Sequence, residues 1–140
     1  MKTMIEKIAE NRSNGVTFIV SPELAEQMVY DSFCNNFGYL ASYGFTLDYS
    51  NKHYSAAKKK LKDSSCLEDV LMQILRDGNH LMFIDTEGDN ETTALTLQMI
   101  HENISFVPHR FISDYILEND DAETSDVILQ CVLFKDIIFG

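Results

Sequence analysis

Four acids, Asp85, Glu87, Asp89 and Glu91, stand at every second position of one short stretch. Carboxylate oxygens are the ligands that hard cations take, so the spacing makes Asp85, Glu87 and Asp89 candidate metal ligands. The stretch does not follow the calcium loop of an EF-hand. Counted from Asp85, glycine falls at the fourth position rather than the sixth, and Thr96 stands where a bidentate glutamate would close the loop. Gly88, Asp89 and Asn90 are also residues that tolerate turn geometry, so a solvated hairpin turn explains the same run without an ion.

A hydrolytic reading needs a second cluster, and His109-Arg110-Phe111-Ile112-Ser113-Asp114 offers one. Asp85 and Glu87 would hold divalent ions that activate water and stabilise a departing oxygen, while His109 takes a proton and Asp114 adds a carboxylate. An Asp-x-Glu at the end of the apolar run Phe83-Ile84 and a later His-x4-Asp resemble the metal and base motifs of proofreading-type exonucleases. That resemblance implies a metal-dependent nuclease or hydrolase with Asp85, Glu87, His109 and Asp114 as its catalytic set. About twenty residues separate the two motifs, fewer than that family's intervening strands and helix require, and its middle aspartate motif has no clear counterpart.

Other chemistries find less to work with. His53, His80, His101 and His109 form no pair with each other or with cysteine at zinc-ligand spacing. There is no G-x-S-x-G elbow, and neither glycine-rich phosphate loop, G-x-x-x-x-G-K-[ST] or G-x-G-x-x-G, occurs. No cofactor is expected. The three cysteines, Cys34, Cys66 and Cys131, are odd in number and set among apolar residues, which predicts buried reduced thiols. With no secretory leader pattern at the N-terminus and no apolar run of membrane-spanning length, a cytoplasmic protein with no membrane contact is expected.

Charge is the strongest compositional signal. The net charge is −11, and residues 71–140 carry three Lys/Arg against thirteen Asp/Glu, whereas residues 1–70 carry eight against nine. Phosphate backbones are bound largely through cationic side chains, so direct general nucleic-acid binding is not expected. The acids Glu118, Asp120, Asp121 and Glu123, with Asp126 beyond them, suit either a capped turn between helices or a negatively charged docking surface. The one basic cluster, Lys58, Lys59, Lys60 and Lys62, suits a solvated helix face or the acids of another molecule, a second copy included.

These groups must be positioned by ordinary elements. Ser21-Pro22-Glu23 is a helix start, with cap, first-position proline and first-turn acid, and Leu24, Met28, Val29, Phe33 and Phe37 mark the buried face of a helix to about Asn36. Helical spacing also predicts elements over residues 2–11, 51–62, 67–77 and 98–103, one after Pro108 with Phe111, Ile112, Tyr115 and Ile116 inward, and one over 124–134, where the β-branched content of 127–134 also suits a strand. Val16 to Val20 reads as a strand, residues 80–97 as a hairpin, 45–49 as loop or short strand, and 137–139 as a short strand. The expectation is one domain over residues 1–140: an α+β fold with amphipathic helices on a small, mainly antiparallel sheet.

Function follows less directly than fold. The leading expectation is a non-enzymatic acidic module that binds a protein partner or itself, for instance an accessory or inhibitory factor whose carboxylates imitate phosphates toward a nucleic-acid-binding protein. Small acidic proteins of mobile elements would suit that role. The metal-dependent hydrolase is the alternative.

Overall fold

The computed structural model describes residues 10–11, 16–17 and 20–140. The chain divides into two compact units, residues 1–39 with 98–140 and residues 40–97, and is α+β throughout. The helix expected from residue 2 lies outside the described residues except at its end. There, Glu10–Asn11 is a strand (β1) pairing antiparallel with Val16–Thr17 (β2), so the helical reading does not extend to residue 11.

In the unit of residues 40–97, β3 (Phe45–Asp48), β4 (Leu81–Asp85) and β5 (Thr92–Leu95) form an antiparallel sheet in that order. The hairpin expected over 80–97 is β4–β5, registered Leu81 to Leu95 and Phe83 to Thr93. Alternation sets the buried face: Leu81 and Phe83 on the central strand and Leu95 on its neighbour are all within 2% of complete burial. The ambiguous segment 45–49 is the third strand, pairing Leu47 with Phe83.

Helices α2 (Asn51–Lys59) and α3 (Leu67–Arg76) pack together, and α3 lies against β4. The apolar stripe Val70, Leu71, Ile74, Leu75 is buried as its spacing requires, while Leu67 at the helix start is exposed. The α3 start lies one residue later than a Ser65/Glu68 capping pair would put it: Cys66 is the cap and its N–H donates to the Asp69 carboxylate at 3.1 Å. At the far end Gly78 turns left-handed, with φ +89°, so that Gly78 and Asn79 donate to the carbonyls of Leu75 and Ile74.

The other unit is built around α6 (Ala122–Phe134), against which α1 (Pro22–Cys34) and α5 (His109–Ile116) pack. Every residue of α6 from Thr124 to Leu133 is buried. A helix enclosed on all sides needs no polar face, which is why its β-branched run read almost equally well as a strand. Helix α1 begins as expected, with the Ser21 hydroxyl accepting the Leu24 N–H at 3.1 Å. Helix α4 (Leu97–Asn103) leads into a 3-10 turn at Ile104–Phe106.

Two tight fittings hold this unit in register. After α1, Asn36, Phe37 and Gly38 all adopt positive φ, and a Cβ at Gly38 would lie 2.5 Å from the Asp126 Cα, so only glycine lets the turn approach α6 this closely. The expected strand over 137–139 is absent. Gln130 on α6 accepts from the Ile138 and Phe139 N–H groups at 2.8 and 2.9 Å, replacing ladder bonds with a side-chain amide. No helix among the described residues is long and apolar enough to cross a membrane.

Candidate functional site

The hydrolytic set is divided between the units. Asp85, Glu87 and Asp89 lie in the β4–β5 hairpin of residues 40–97, whereas His109 opens α5 and Asp114 sits on the same helix in the other unit. Asp85 has a structural role of its own. Its Oδ1 accepts the N–H groups of Glu87 and Gly88 at 3.1 and 3.0 Å, the geometry by which an aspartate folds its own turn. The turn is fastened further by Thr86, whose N–H and hydroxyl both donate to the Gly44 carbonyl, at 2.9 and 2.6 Å. Glu87, Asp89 and Glu91 are exposed. Among the described residues no three His, Cys, Asp or Glu side chains are grouped to hold a metal ion.

The expected acidic tract has two characters. Glu118, Asp120, Asp121 and Glu123 are exposed in the turn between α5 and α6 and its first residues. Asp121 caps α6: its carboxylate accepts the Thr124 N–H at 3.0 Å, and this bond holds the carboxyl below its ordinary pKa. Glu118 takes the left-handed position that ends α5, with φ +60°. Asp126, grouped with these acids from sequence, is 4% exposed and does not belong to the outward surface. It accepts from the Tyr39 N–H at 3.2 Å and from Gln130 Nε2 at 2.9 Å, which compensates a carboxylate for leaving water.

The basic cluster is likewise partly engaged within the chain. Lys58, Lys59, Lys60 and Lys62 are all exposed on and after α2, but Lys60 Nζ lies 2.7 Å from Asp77 Oδ1 at the end of α3. That donation, with a second from Gln73, keeps the Asp77 carboxyl below its ordinary pKa. Lys58 stands over the Tyr54 ring at 5.8 Å.

A groove that sequence reasoning missed lies in the unit of α1, α5 and α6. It encloses about 360 Å³ and is lined by Leu24 and Asp31 of α1, Tyr115 and Ile116 of α5, and Glu118 and Asp120 of the following turn. The Tyr115 hydroxyl donates to Asp31 Oδ2 at 2.5 Å, and Gln27 Nε2 donates to Oδ1 at 3.0 Å, so the carboxylate is held at both oxygens. Burial, the Asp31 bond and the Asp31 and Asp120 charges push the phenol pKa far up, which keeps Tyr115 a neutral donor.

Beside this pair the α5 stripe leaves the core. Phe111 and Ile112 are buried, but Ile116, expected inward, is 38% exposed and Leu117 is 64% exposed. The sequence signal was Ile116-Leu117 running straight into Glu118-Asn119-Asp120, an apolar pair at a helix end where solvated residues usually stand. Among the described residues the lining carries three carboxylates and no cation.

The thiols divide as well. Cys131 is buried, which lifts its pKa to about 12, whereas Cys34 and Cys66 are exposed rather than enclosed. Among the histidines, His101 Nε2 lies 2.8 Å from Glu26 Oε2, and His53 meets His80 edge-on with ring centroids 6.4 Å apart.

No family model and no solved structure matches the chain. Over 89 residues it is 29% identical to the energy-coupling factor transporter ATP-binding protein EcfA2 of Mycoplasmopsis pulmonis (strain UAB CTIP), a stretch covering 64% of this chain and 26% of that protein. The chain thus spans about a quarter of the length of the relative it matches, and it carries neither of the glycine-rich phosphate loops.

Proposed function

We propose that this protein is a non-enzymatic, cytoplasmic interaction module that docks another protein through its acidic helical unit. The observation that carries the reading is the groove: Leu24, Tyr115 and exposed Ile116 line it beside Asp31, Glu118 and Asp120, and exposed Leu117 is next in the chain. Exposed apolar side chains rimmed by fixed charge are what protein-binding patches present, the apolar part supplying affinity and the charge supplying orientation and association rate. A partner that itself binds nucleic acid fits the same chemistry, since its basic surface would meet carboxylates in place of phosphates. Self-association through Lys58, Lys59 and Lys62 of a second copy is the other form this reading takes.

A titration with magnesium or manganese, followed by thermal melting and a nuclease assay, tests the module against hydrolysis. A module of this kind keeps its melting temperature and cleaves nothing. A metal-dependent rise in melting temperature that disappears in Asp85→Asn, together with hydrolysis lost in His109→Ala, would establish the catalytic reading instead.

A further inference from the structure

We infer that the groove between α1 and the end of α5 is built for a basic amphipathic helix of a partner protein, with lysine or arginine flanking apolar anchors at helical spacing. The inference rests on the interaction-module reading and specifies its partner.

Charge decides the sign of that partner. Residues 1–39 and 98–140 carry five Lys/Arg against thirteen Asp/Glu, while residues 40–97 carry six against nine, so the groove belongs to the more negative unit. Of the cations among its described residues, Arg110 stacks on Phe111 at 4.5 Å, and Lys135 occupies the left-handed end of α6. Among the described residues no Lys or Arg lines the groove beside Asp31, Glu118 and Asp120. A nucleic acid or an anionic membrane would be repelled.

Size and shape decide its form. A volume of about 360 Å³ is at the low end of binding pockets, enough for a few side chains and too little for a globular element. Leu24 and Ile116 in the lining, with exposed Leu117 next in the chain, offer apolar contact, and a helix supplies anchors at i, i+3 or i+4 to meet it. Asp31 is already fixed by Tyr115 and Gln27, so little side-chain entropy remains to be lost when a guanidinium or ammonium pairs with its remaining lone pairs.

The test uses the full chain and fluorescence anisotropy with three labelled synthetic peptides. One has leucine at helical spacing with lysine elsewhere; in the second every lysine is glutamate; in the third every leucine is serine. The leucine-lysine peptide should bind, more weakly as salt rises, and about tenfold more weakly to Leu117→Ser and to the pair Glu118→Gln with Asp120→Asn. These positions are exposed, and unchanged melting curves check that the variants fold. Equal binding of the leucine-glutamate peptide would leave a docking module but overturn the basic partner. Equal binding of the serine-lysine peptide, or no binding of any peptide, would remove the groove as the site. Sedimentation of the protein alone as a dimer that Leu117→Ser dissolves would make a second copy the occupant and overturn the inference.

Discussion

The unit of residues 40–97 and the unit containing α6 solve the same problem of enclosing a chain by different means. The first uses strand alternation and helix stripes, so that Leu71, Leu75, Leu81, Phe83 and Leu95 close an apolar interior and the charges remain outside. The second runs a polar chain from the Tyr39 N–H through buried Asp126 and Gln130 to the 138–139 amides, and leaves apolar Ile116 and Leu117 in water. Where apolar residues face out and carboxylates face in, local rules of patterning have been broken, and such breaks concentrate at sites of function. The docking role proposed above draws on the groove-bearing unit rather than on the acid-rich hairpin, whose Asp85 folds its own turn.

The largest effects should come from the two interiors. Phe83→Ala is expected to cost about 3–5 kcal/mol in urea unfolding, because a central-strand aromatic leaves a cavity. Asp126→Ala should cost about 3 kcal/mol, a similar loss from a polar residue, since the Tyr39 N–H and the Gln130 amide would both lose a buried acceptor. A near-neutral result for Asp126→Ala would erase the distinction between the units. Capping is expected to matter less: Ser21→Ala should lower stability by about 1 kcal/mol.

Proton linkage sharpens the comparison further. The Tyr115 pKa is raised above its ordinary value of 10.0 by folding, so its contribution is fully present below pH 10 and is lost as pH rises beyond it. Denaturant midpoints should fall above pH 10 in the native chain and less steeply in Tyr115→Phe. The smallest effect belongs to the other unit. Asp77 is held below 3.8, so its contribution is present above that value and lost as pH falls through the lowered one. With Lys60 57% exposed, Lys60→Met should change acid unfolding only slightly.

Much of the fold was legible because local signals agreed with global packing. Ser21-Pro22-Glu23, Gly78 and the 80–97 hairpin each name their own geometry, and the structure follows them. The site was not legible for an equally physical reason. Asp31 and Tyr115 are 84 positions apart, so their pairing exists only after α1 and α5 have folded. Periodicity placed Ile116 inside because it continues the stripe of Phe111 and Ile112, and sequence carries no mark of where a core ends. Asp126 looked solvated because its neighbours are acidic, whereas a turn of α-helix later in the chain Gln130 receives it. The residues 137–139 have strand composition, but the Ile138 and Phe139 N–H groups are taken by the Gln130 side chain.

Amide NMR spectra of the full chain, recorded with and without the leucine-lysine peptide, show where a basic helix docks. Docking in the groove should give shifts confined to residues 24–31 and 115–120, with the hairpin of residues 85–91 unmoved. Shifts centred on that hairpin, or on Lys58 to Lys62, with the groove silent, would contradict it.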